Sequence, residues 1–206
     1  METKVKNKNK STKPKHGKNC IISHTSIFCG KNIIGNDVEI CDYCEITNCL
    51  IGNGSIIKFS ILENSTIGDD CKIGPFARLR EKNIINSRCK IGNFVELKNC
   101  IIGENTKISH LAYIGDAEIG QNCNIGCGVV FANYNGKTKQ KIILEDGCFV
   151  GCNCTLIAPI VLGKGCYICA GTVVTHDVPQ NAMVIGRAQP TIKANRAKKY
   201  WTGGDA

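Results

Sequence analysis

The sequence predicts an all-β protein, a parallel β-helix built from hexapeptide repeats. Glycine often follows an aliphatic residue, as in Ile73-Gly74 and Leu162-Gly163, and Asn, Asp and Gly fill much of the remainder. The aliphatic residues themselves recur at intervals of six. They form three series, which are Ile22, Phe28, Ile34, Ile40, Ile46; Ile67, Ile73, Leu79, Ile85, Ile91, Leu97; and Leu144, Val150, Leu156, Leu162, Ile168, Val174.

A spacing of six fits neither the 3.6-residue period of a helix nor the alternation of a simple strand. It fits a short strand followed by a sharp corner, and three such sides close a triangular coil of about eighteen residues. Each aliphatic residue then stacks above its counterpart in the next coil. Gly and Asn at the corners supply backbone angles that other residues resist.

Composition limits the domain organisation. The chain has 206 residues, 43% hydrophobic content and 6% aromatic content, which suits short stacked strands better than long helices. We expect a disordered basic tail at 1–19, the coil at 20–187 and a short C-terminal arm at 188–206. No apolar run reaches the roughly 20 residues of a membrane span, and the N-terminus lacks a secretory pattern, so we expect a cytoplasmic protein without membrane partners.

The net charge of +9 is concentrated in the tail, where residues 1–19 carry seven Lys and one Glu. A Lys- and Asn-rich segment of this kind cannot bury enough surface to fold. No zinc-finger spacing, helix-turn-helix or basic stripe with aromatic residues accompanies it, so nucleic acid is not an expected partner.

The chain has fifteen cysteines, which we expect to be packing residues. Ten of them lie two residues before a core aliphatic residue, a position that takes a small apolar side chain. Cys41 and Cys44 form a CxxC pair, but no second pair completes a zinc site, so no metal is expected.

The repeat is clearly interrupted at Ala132–Lys141 (ANYNGKTKQK), which is polar, basic and without core positions, and a second irregular stretch, Thr175–Ala182, marks the last coils. Ala132–Lys141 is predicted to project as a loop, and its lysines would suit a phosphate. Lys193–Trp201 is predicted to form a short helix or arm.

Several runs resemble one family closely. These are IGPFARLR (73–80), IGNFVELKN (91–99), HLAYIGDAEIGQNCNIGCG (110–128), NYNGKTK (133–139), FVGCNCTLIAPIVLGKG (149–165) and AGTVVTHDV (170–178). They are similar to the C-terminal acetyltransferase half of the bifunctional GlmU family, which acetylates glucosamine-1-phosphate with acetyl-CoA. The resemblance implies a left-handed coil, a homotrimer and acetyl transfer alone, since no uridylyltransferase pattern precedes the coil.

The resemblance also implies a set of site residues. His110 matches the catalytic base, and the sugar phosphate would be held by Arg80, Lys98, Tyr113, Asn124 and Lys139. The acetyl-CoA positions are Cys127, Asn133, Tyr134, Cys152, Ala170 and Arg187. Cys127 and Cys152 depart from the usual Ala and Ser of the family. The second departure replaces a hydroxyl donor with a weaker thiol donor.

The chemistry of these residue types fits acetyl transfer to an amine. The amine must lose a proton before it attacks, and histidine, with an unperturbed pKa of about 6.5, suits that task. Glu96 is the expected orienter of the imidazole. Arg80 and Lys98 would give charge-assisted hydrogen bonds to a phosphate.

Three other functions stay open at this point. The first is an acyltransferase on the same scaffold acting on a nucleotide sugar or another small amine or hydroxyl acceptor, because fold alone does not decide substrate. The second is a zinc hydrolyase with three histidine ligands, although His16, His24 and His176 are far from His110 along the chain. The third is a non-catalytic structural coil.

Overall fold

The structure is a computed structural model that describes residues 12–200. Within this range 24 strands form one sheet wound into a coil, followed by a 3-10 helix, Ala197–Tyr200. The strands are β1 Lys15–His16, β2 Ile21–Ile22, β3 Ile27–Cys29, β4 Ile33–Ile34, β5 Glu39–Ile40, β6 Glu45–Thr47, β7 Leu50–Ile51, β8 Ile56–Ile57, β9 Ile61–Glu63, β10 Thr66–Ile67, β11 Lys72–Ile73, β12 Arg78–Leu79, β13 Ile84–Ile85, β14 Lys90–Ile102, β15 Lys107–Ile119, β16 Asn124–Ile125, β17 Val130–Ala132, β18 Ile142–Leu144, β19 Phe149–Val150, β20 Thr155–Ile157, β21 Ile160–Leu162, β22 Tyr167–Ile168, β23 Val173–Val174 and β24 Met183–Val184.

The pairing pattern gives the coil three faces. A short strand pairs in parallel with the strand three places further along the chain, as β1 with β4, β2 with β5 and β3 with β6. The long strands β14 and β15 run around corners, so β14 pairs with β11, β12 and β13 in turn. Each turn of the coil, called a rung below, therefore contributes one strand to each face. The prediction of a parallel β-helix built from hexapeptide repeats is confirmed.

The interior is a stack of the aliphatic residues that the six-residue spacing selected. Leu79, Ile85, Ile91 and Leu97, six positions apart, are all 0–1% exposed. Burying one such side chain contributes about 1.5–3 kcal/mol, so the stack supplies the main stabilisation of the coil.

The cysteines fill small interior positions. Eleven of the fifteen are buried, Cys20 and Cys41 are half-buried, and only Cys127 and Cys152 are exposed; all fifteen are free thiols. The sulfur atoms of Cys148 and Cys166 lie 3.5 Å apart on neighbouring rungs. Nine of the ten cysteines that the repeat assigned to packing are buried, so that prediction is confirmed for them.

The corners require left-handed backbone, and most of the residues there are Asn, Asp or Gly with positive φ. At one corner the side chains also cap the backbone. Asn36 Oδ1 accepts the Lys18 N–H at 2.8 Å, Asn53 Oδ1 accepts the Asn36 N–H at 2.8 Å and Asp69 Oδ1 accepts the Asn53 N–H at 2.6 Å. We call this column of residues the capped corner.

The predicted loop is present between β17 and β18. Val130 pairs with Thr155, 25 positions on, whereas Thr155 pairs with Val173, 18 positions on. The additional residues leave the coil as a short hairpin in which the Gln140 N–H donates to the Asn133 carbonyl at 2.7 Å.

The expected tail boundary at residue 19 needs correction. The Thr12 N–H donates to the Phe28 carbonyl at 2.7 Å, and Lys15–His16 already pairs with Ile33–Ile34. Apolar side chains are not needed there, because a first rung is held by backbone hydrogen bonds to the next. Residues 1–11 and Trp201–Ala206, which belong to the predicted tail and arm, lie outside the described residues.

After β24 the chain still contacts the coil at Gly186, whose N–H donates to Thr172 Oγ1 at 3.1 Å. Residues 185–197 and 199–200 are exposed. No helix between residues 12 and 200 is long and apolar enough to cross a membrane.

Candidate active site

His110 stands at a corner of the coil with its imidazole exposed. It lies in β15, and Asn93 is its register partner in β14. The Nδ1 atom of His110 is 2.7 Å from Oδ1 of Asn93. An amide oxygen can only accept, so Nδ1 carries the proton in this pairing and Nε2 is left as the basic nitrogen.

Three further positions of the predicted site lie at the same corner, on the rungs that follow His110. Asn93, His110, Cys127, Cys152 and Ala170 occupy successive rungs, each directly before a residue with positive φ. The Asn153 N–H donates to the Cys127 carbonyl and the Gly171 N–H to the Cys152 carbonyl, both at 2.8 Å, which fixes this order. We call this column the site corner.

The backbone amides of the site corner differ from those of the capped corner. Within the described residues, neither the Cys127 nor the Cys152 amide donates a hydrogen bond. At the capped corner an Asn or Asp side chain on the next rung accepts the equivalent amide, whereas here the next residues are Cys152 and Ala170. Exposed amides without an internal acceptor can receive an oxygen atom of a ligand.

Arg80 and Glu96 form an ion pair on the coil face that begins at the site corner. The Arg80 Nη1 to Glu96 Oε1 distance is 3.1 Å, and both side chains are about two-fifths exposed. Glu96 was expected to orient His110, but its carboxylate contacts Arg80, and the imidazole contacts Asn93 instead. We call this face, which carries Arg80, Glu96, Lys98 and Tyr113, the site face.

Lys98 and Lys139 approach each other at the far edge of the site face. The neighbouring Lys139 ammonium, partial desolvation and the more distant Arg80 hold the pKa of Lys98 below its ordinary value, while Asp116 opposes them. We call Arg80, Lys98 and Lys139 the cationic cluster. Arg80 is paired with Glu96, but two neighbouring ammonium groups without carboxylate partners of their own suit an anionic ligand. Within residues 12–200, neither lysine forms an ion pair.

The loop that carries Lys139 is anchored at its base by Asn133. This residue is 4% exposed, and its Nδ2 donates to Asp116 Oδ2 at 2.6 Å. Asp116 has left-handed backbone, with a φ of 51°, and its Oδ1 also accepts a hydrogen bond from Asn99 Nδ2 at 2.7 Å. Tyr134 is exposed and its hydroxyl donates to the Gly136 carbonyl at 2.7 Å. The position of Lys139 is therefore set by a buried contact below it.

Tyr113 lies on the site face over Gly115. A methyl group built on Gly115 would be 2.6 Å from the Tyr113 hydroxyl oxygen and 2.7 Å from Asn133 Nδ2. Glycine at this position thus lets the ring lie flat and brings its hydroxyl to the base of the loop. Beside it is an open cavity of about 470 Å³, lined in part by Phe94, Glu96, Leu111 and Tyr113.

The predicted site residues thus fall into three groups. The site face and its loop bring together Arg80, Glu96, Lys98, Tyr113, Asn133, Tyr134 and Lys139. The site corner brings together His110, Cys127, Cys152 and Ala170, and Arg187 joins them because its Cγ would lie 3.6 Å from a methyl group on Gly171. Asn124 is apart from both groups: it lies in β16, between Lys107 and Phe149 on a neighbouring face.

Two polar residues of this site escaped sequence reasoning, Asn93 and Asp116. Each was inside a quoted motif, but neither was assigned a role. The signal that identifies Asn93 is its equivalent position in successive rungs, since GNF at 92–94 pairs with SHL at 109–111. Asp116 has no comparable signal, because Asp and Asn are common at corners for conformational reasons alone.

Metal ligands are not gathered in the part of the chain that the structure describes. There, no three His, Cys, Asp or Glu side chains are placed to hold a metal ion. In the CxxC pair, the Cys41 thiol donates to Glu39 and Cys44 is buried.

Comparison with known proteins gives two family matches. Residues 40–122 match the family described as GlmU-like, C-terminal hexapeptide, and residues 141–176 match the hexapeptide repeat of succinyl-transferase. The first match contains Arg80, Glu96, Lys98, His110 and Tyr113.

Curated relatives agree with the first match. The chain is 46% identical over 179 residues to the bifunctional protein GlmU of Geobacillus sp. (strain WCH70), covering 87% of this chain and 39% of the relative. It is 47% identical over 177 residues to the bifunctional protein GlmU of Caldicellulosiruptor saccharolyticus, covering 86% of this chain and 38% of the relative. The chain therefore spans about two-fifths of the length of these relatives.

Among solved structures, LpxA from Acinetobacter baumannii matches with a TM-score of 0.50 and 18% identity, covering 92% of this chain and 78% of that one. This likeness concerns the fold. The resemblance that the sequence predicted is confirmed: residues 40–122 match the GlmU-like, C-terminal hexapeptide family, and over the matched length the chain is similar to bifunctional GlmU proteins.

Proposed function

We propose that this protein is an acetyl-CoA-dependent N-acetyltransferase that acts on glucosamine-1-phosphate. One observation carries the proposal: an imidazole held by Asn93 stands at the edge of the same coil face that carries the cationic cluster. A base and an anion site on one face fit an acceptor that carries both an amine and a phosphate group. The similarity to GlmU proteins supports the same substrate.

His110 supplies the proton transfer. An ammonium group has no lone pair, so the acceptor amine attacks the thioester only after it loses a proton. Nε2 of His110 is the free basic nitrogen, because Nδ1 is paired with Asn93. A positioned general base contributes roughly 10²- to 10⁴-fold in rate.

The cationic cluster holds the phosphate of the acceptor. Arg80 already shares one hydrogen bond with Glu96 and has further donors, whereas Lys98 and Lys139 face each other. A phosphate between them would replace like-charge repulsion by charge-assisted hydrogen bonds. Tyr113 lies between this cluster and His110 and would contact the sugar ring.

The site corner binds the acetyl donor. Cys127, Cys152 and Ala170 line it above His110, and Arg187 lies beside Gly171 at its upper end. The amides of Cys127 and Cys152 are placed to receive the thioester oxygen as negative charge develops there. The thiol of Cys152 adds only a weak donor. Asn133 and Tyr134 bring the loop to the opposite edge of the same face.

A second copy of the chain completes the site. Tyr43, Phe59, Phe76 and Phe94 form an exposed aromatic stripe along the column beside the site corner, with ring centroids 6.3, 6.1 and 5.6 Å apart. All four have positive φ, which is unfavourable for bulky residues.

The stripe runs into Leu111 and the cavity beside Tyr113. Packing of another coil along it would bury these rings and close the cavity. It would also bring Asn124, which lies on a different face of its own chain, to a neighbouring site. The expected assembly is a homotrimer.

The experiment is a thiol-release assay with acetyl-CoA and glucosamine-1-phosphate. We expect activity in the wild type and a loss of roughly 10²- to 10⁴-fold in His110→Ala. His176→Ala is the matched control, since His176 is also an exposed coil histidine with a hydrogen-bonded Nδ1. If a nucleotide sugar or a simple amine or alcohol gives higher activity, that compound is the acceptor in place of glucosamine-1-phosphate. If no acceptor is acetylated, the result favours a structural coil.

A further inference from the structure

Lysines are stacked on the coil face that carries Asn124, away from the site face. Lys72, Lys90 and Lys107 are register partners on three successive rungs, and all three are exposed. Neighbouring parallel strands are about 4.8 Å apart, so the three side chains start at that spacing. Like charges directly opposite one another on adjacent strands are destabilising, so the coil itself gives no reason for this column.

Carboxylates of the chain do not neutralise the column. Ile56 precedes Lys72 in register order, and Glu39 precedes Ile56. Glu39 is therefore two rungs from Lys72, and its carboxylate accepts a hydrogen bond from the Cys41 thiol at 3.2 Å. Within residues 12–200, neither the three stacked lysines nor Lys58 at the adjoining corner forms an ion pair. Their ammonium groups lack a countercharge.

A cavity of about 310 Å³ opens near the N-terminal end of this column. It is lined in part by Lys58, Lys72, Lys90, Ile56, Gly74 and Pro75. The three lysines supply its positive charge, and the isoleucine and proline side chains give it an apolar floor. We call this cavity the lysine groove. Ligand cavities range from about 300 to 1,000 Å³, so the lysine groove accommodates one small molecule.

The backbone fixes the shape of the lysine groove. The Lys58 N–H donates to the Ile73 carbonyl at 2.9 Å, and the Lys58 carbonyl accepts from the buried Ser60 hydroxyl at 2.6 Å. Gly74 has a φ of 96°, a conformation that glycine adopts at little cost. Pro75 follows it with an exposed ring and no N–H. The floor is therefore formed by carbon atoms whose positions are set before a ligand arrives.

We propose that the lysine groove is a binding site for a small organic diphosphate. A phosphate monoester carries about −1.5 to −2 charge at pH 7, which leaves three ammonium groups incompletely balanced, and a second phosphoryl group supplies the remainder. Charge-assisted hydrogen bonds from Lys58, Lys72 and Lys90 hold the two phosphoryl groups. The apolar floor receives the ring or chain to which the diphosphate is attached.

The lysine groove is separate from the proposed active site. Pro75 precedes Asn93 by one rung at the site corner, since the Phe94 N–H donates to the Phe76 carbonyl at 3.1 Å. The positions proposed for the acetyl donor follow His110 instead. Among the described residues, no histidine, cysteine or carboxylate lines the groove. A compound held there is bound without reacting, and its binding is independent of acetyl transfer.

The test is isothermal titration calorimetry of the full chain with cytidine diphosphate, inorganic pyrophosphate and inorganic phosphate. Cytidine diphosphate contains no adenine, so it does not imitate that part of acetyl-CoA. We expect cytidine diphosphate to bind more tightly than pyrophosphate, because only the nucleotide covers the apolar floor. Pyrophosphate should bind more tightly than phosphate. Equal affinities for phosphate and cytidine diphosphate would overturn a diphosphate site.

Variants of the rim and floor locate the binding. Lys58→Ala and Lys72→Ala should each weaken the binding of cytidine diphosphate and pyrophosphate by about tenfold or more, because a charge-assisted hydrogen bond is lost. Lys107→Ala is the matched control, since it removes the same charge from the same column outside the groove, and the affinity should stay within about twofold. Ile56→Thr should weaken the binding of cytidine diphosphate but not of pyrophosphate.

Three results of these titrations would contradict the site. If Lys107→Ala weakens binding as much as Lys72→Ala, the face attracts anions by its net charge alone. If the loss follows Lys139→Ala instead, the nucleotide binds the cationic cluster. If Lys58→Ala and Lys72→Ala keep the affinity but sediment as a smaller species, these lysines pack against a second copy of the chain. Acetyl transfer is measured separately by thiol release, so failure of either proposal is recognised without the other.

Discussion

The carboxamide oxygen of Asn93 lies 2.7 Å from Nδ1 of His110, across one rung of the coil. Because a neutral carboxamide oxygen only accepts, it fixes the tautomer without adding charge to the site. The imidazole is thereby presented with Nε2 free toward solvent and toward any ligand on the site face.

A carboxylate in place of this carboxamide tests the relationship. In Asn93→Asp the negative charge stabilises the imidazolium, so His110 stays protonated to higher pH and the acidic limb of the kcat profile moves to higher pH. Asn93→Ala should lower kcat without such a displacement. The measurement is kcat against pH; Asn53→Ala, at the equivalent position of the capped corner, is the control. An unchanged profile in Asn93→Asp would show that the pairing does not govern the base.

The cationic cluster predicts a separate effect on substrate binding. Lys139→Ala removes the ammonium that depresses the pKa of Lys98, and it also removes one phosphate contact. A charge-assisted hydrogen bond is worth about 1.5–3 kcal/mol, so KM for glucosamine-1-phosphate should rise by about tenfold or more while KM for glucosamine changes little.

The pH dependence of that KM has a definite sign. Lys98 loses its charge as pH rises through a pKa that lies below the ordinary lysine value, so phosphate binding should weaken earlier in alkaline solution than for an isolated lysine. In Lys139→Ala this weakening should move to higher pH. Lys137→Ala, a change in the same exposed loop, is the control. Equal KM increases for both loop variants would contradict a specific cluster.

The hydrogen bond between Asp116 and Asn133 at the base of the loop leads to a prediction about stability. Asp116→Ala removes the acceptor of the buried Asn133 amide, and an unsatisfied buried polar group costs about 1–3 kcal/mol. Hydrogen exchange should accelerate at residues 133–140 and kcat should fall, with smaller changes elsewhere. Asp146→Ala, which removes an exposed contact to Gln121, is the control. Unchanged exchange in the loop would show that Asp116 does not hold it.

The aromatic stripe predicts the assembly. Asn accepts left-handed backbone more readily than Phe, so Phe59→Asn and Phe76→Asn should keep the fold while removing apolar surface. Sedimentation should then show a smaller species than the wild type, and acetyl transfer should fall with it. Ile84→Asn, an exposed apolar position on another face, is the comparison. A wild type that sediments as a monomer would refute the proposal that a second copy closes the site.

Thiol reactivity separates packing cysteines from exposed ones. Cys127 and Cys152 should react with an aromatic disulfide reagent at pH 8 in the native protein. Half-buried Cys41 should react slowly, because burial and then its hydrogen bond to the Glu39 carboxylate raise its pKa to about 11. Glu39→Gln should therefore accelerate Cys41. Two fast thiols in the wild type are expected, and a rapid reaction of the buried cysteines would mean that the coil opens.

The amino-acid sequence by itself determined the coil, its core and its main interruption. Those features depend on a period of six, and a period is visible within any short stretch of sequence. The six-residue spacing of Ile73, Leu79 and Ile85 predicts the buried core. Ten cysteines share one position of the repeat, which takes a small side chain beside that core. The basic loop can be recognised in the sequence because it has no core aliphatic residue at the six-residue spacing.

The tertiary structure decided which polar groups meet. Asn93 contacts His110 from 17 residues away, Arg80 contacts Glu96 from 16 and Asp116 contacts Asn133 from 17. Rungs of this coil differ in length by a residue or two, so sequence distance does not fix the partner. A slip of one position turns a side chain to the opposite side of its strand. The prediction that Glu96 orients His110 was therefore wrong. The contact between Asn93 and His110 could be identified only from the register of the rungs.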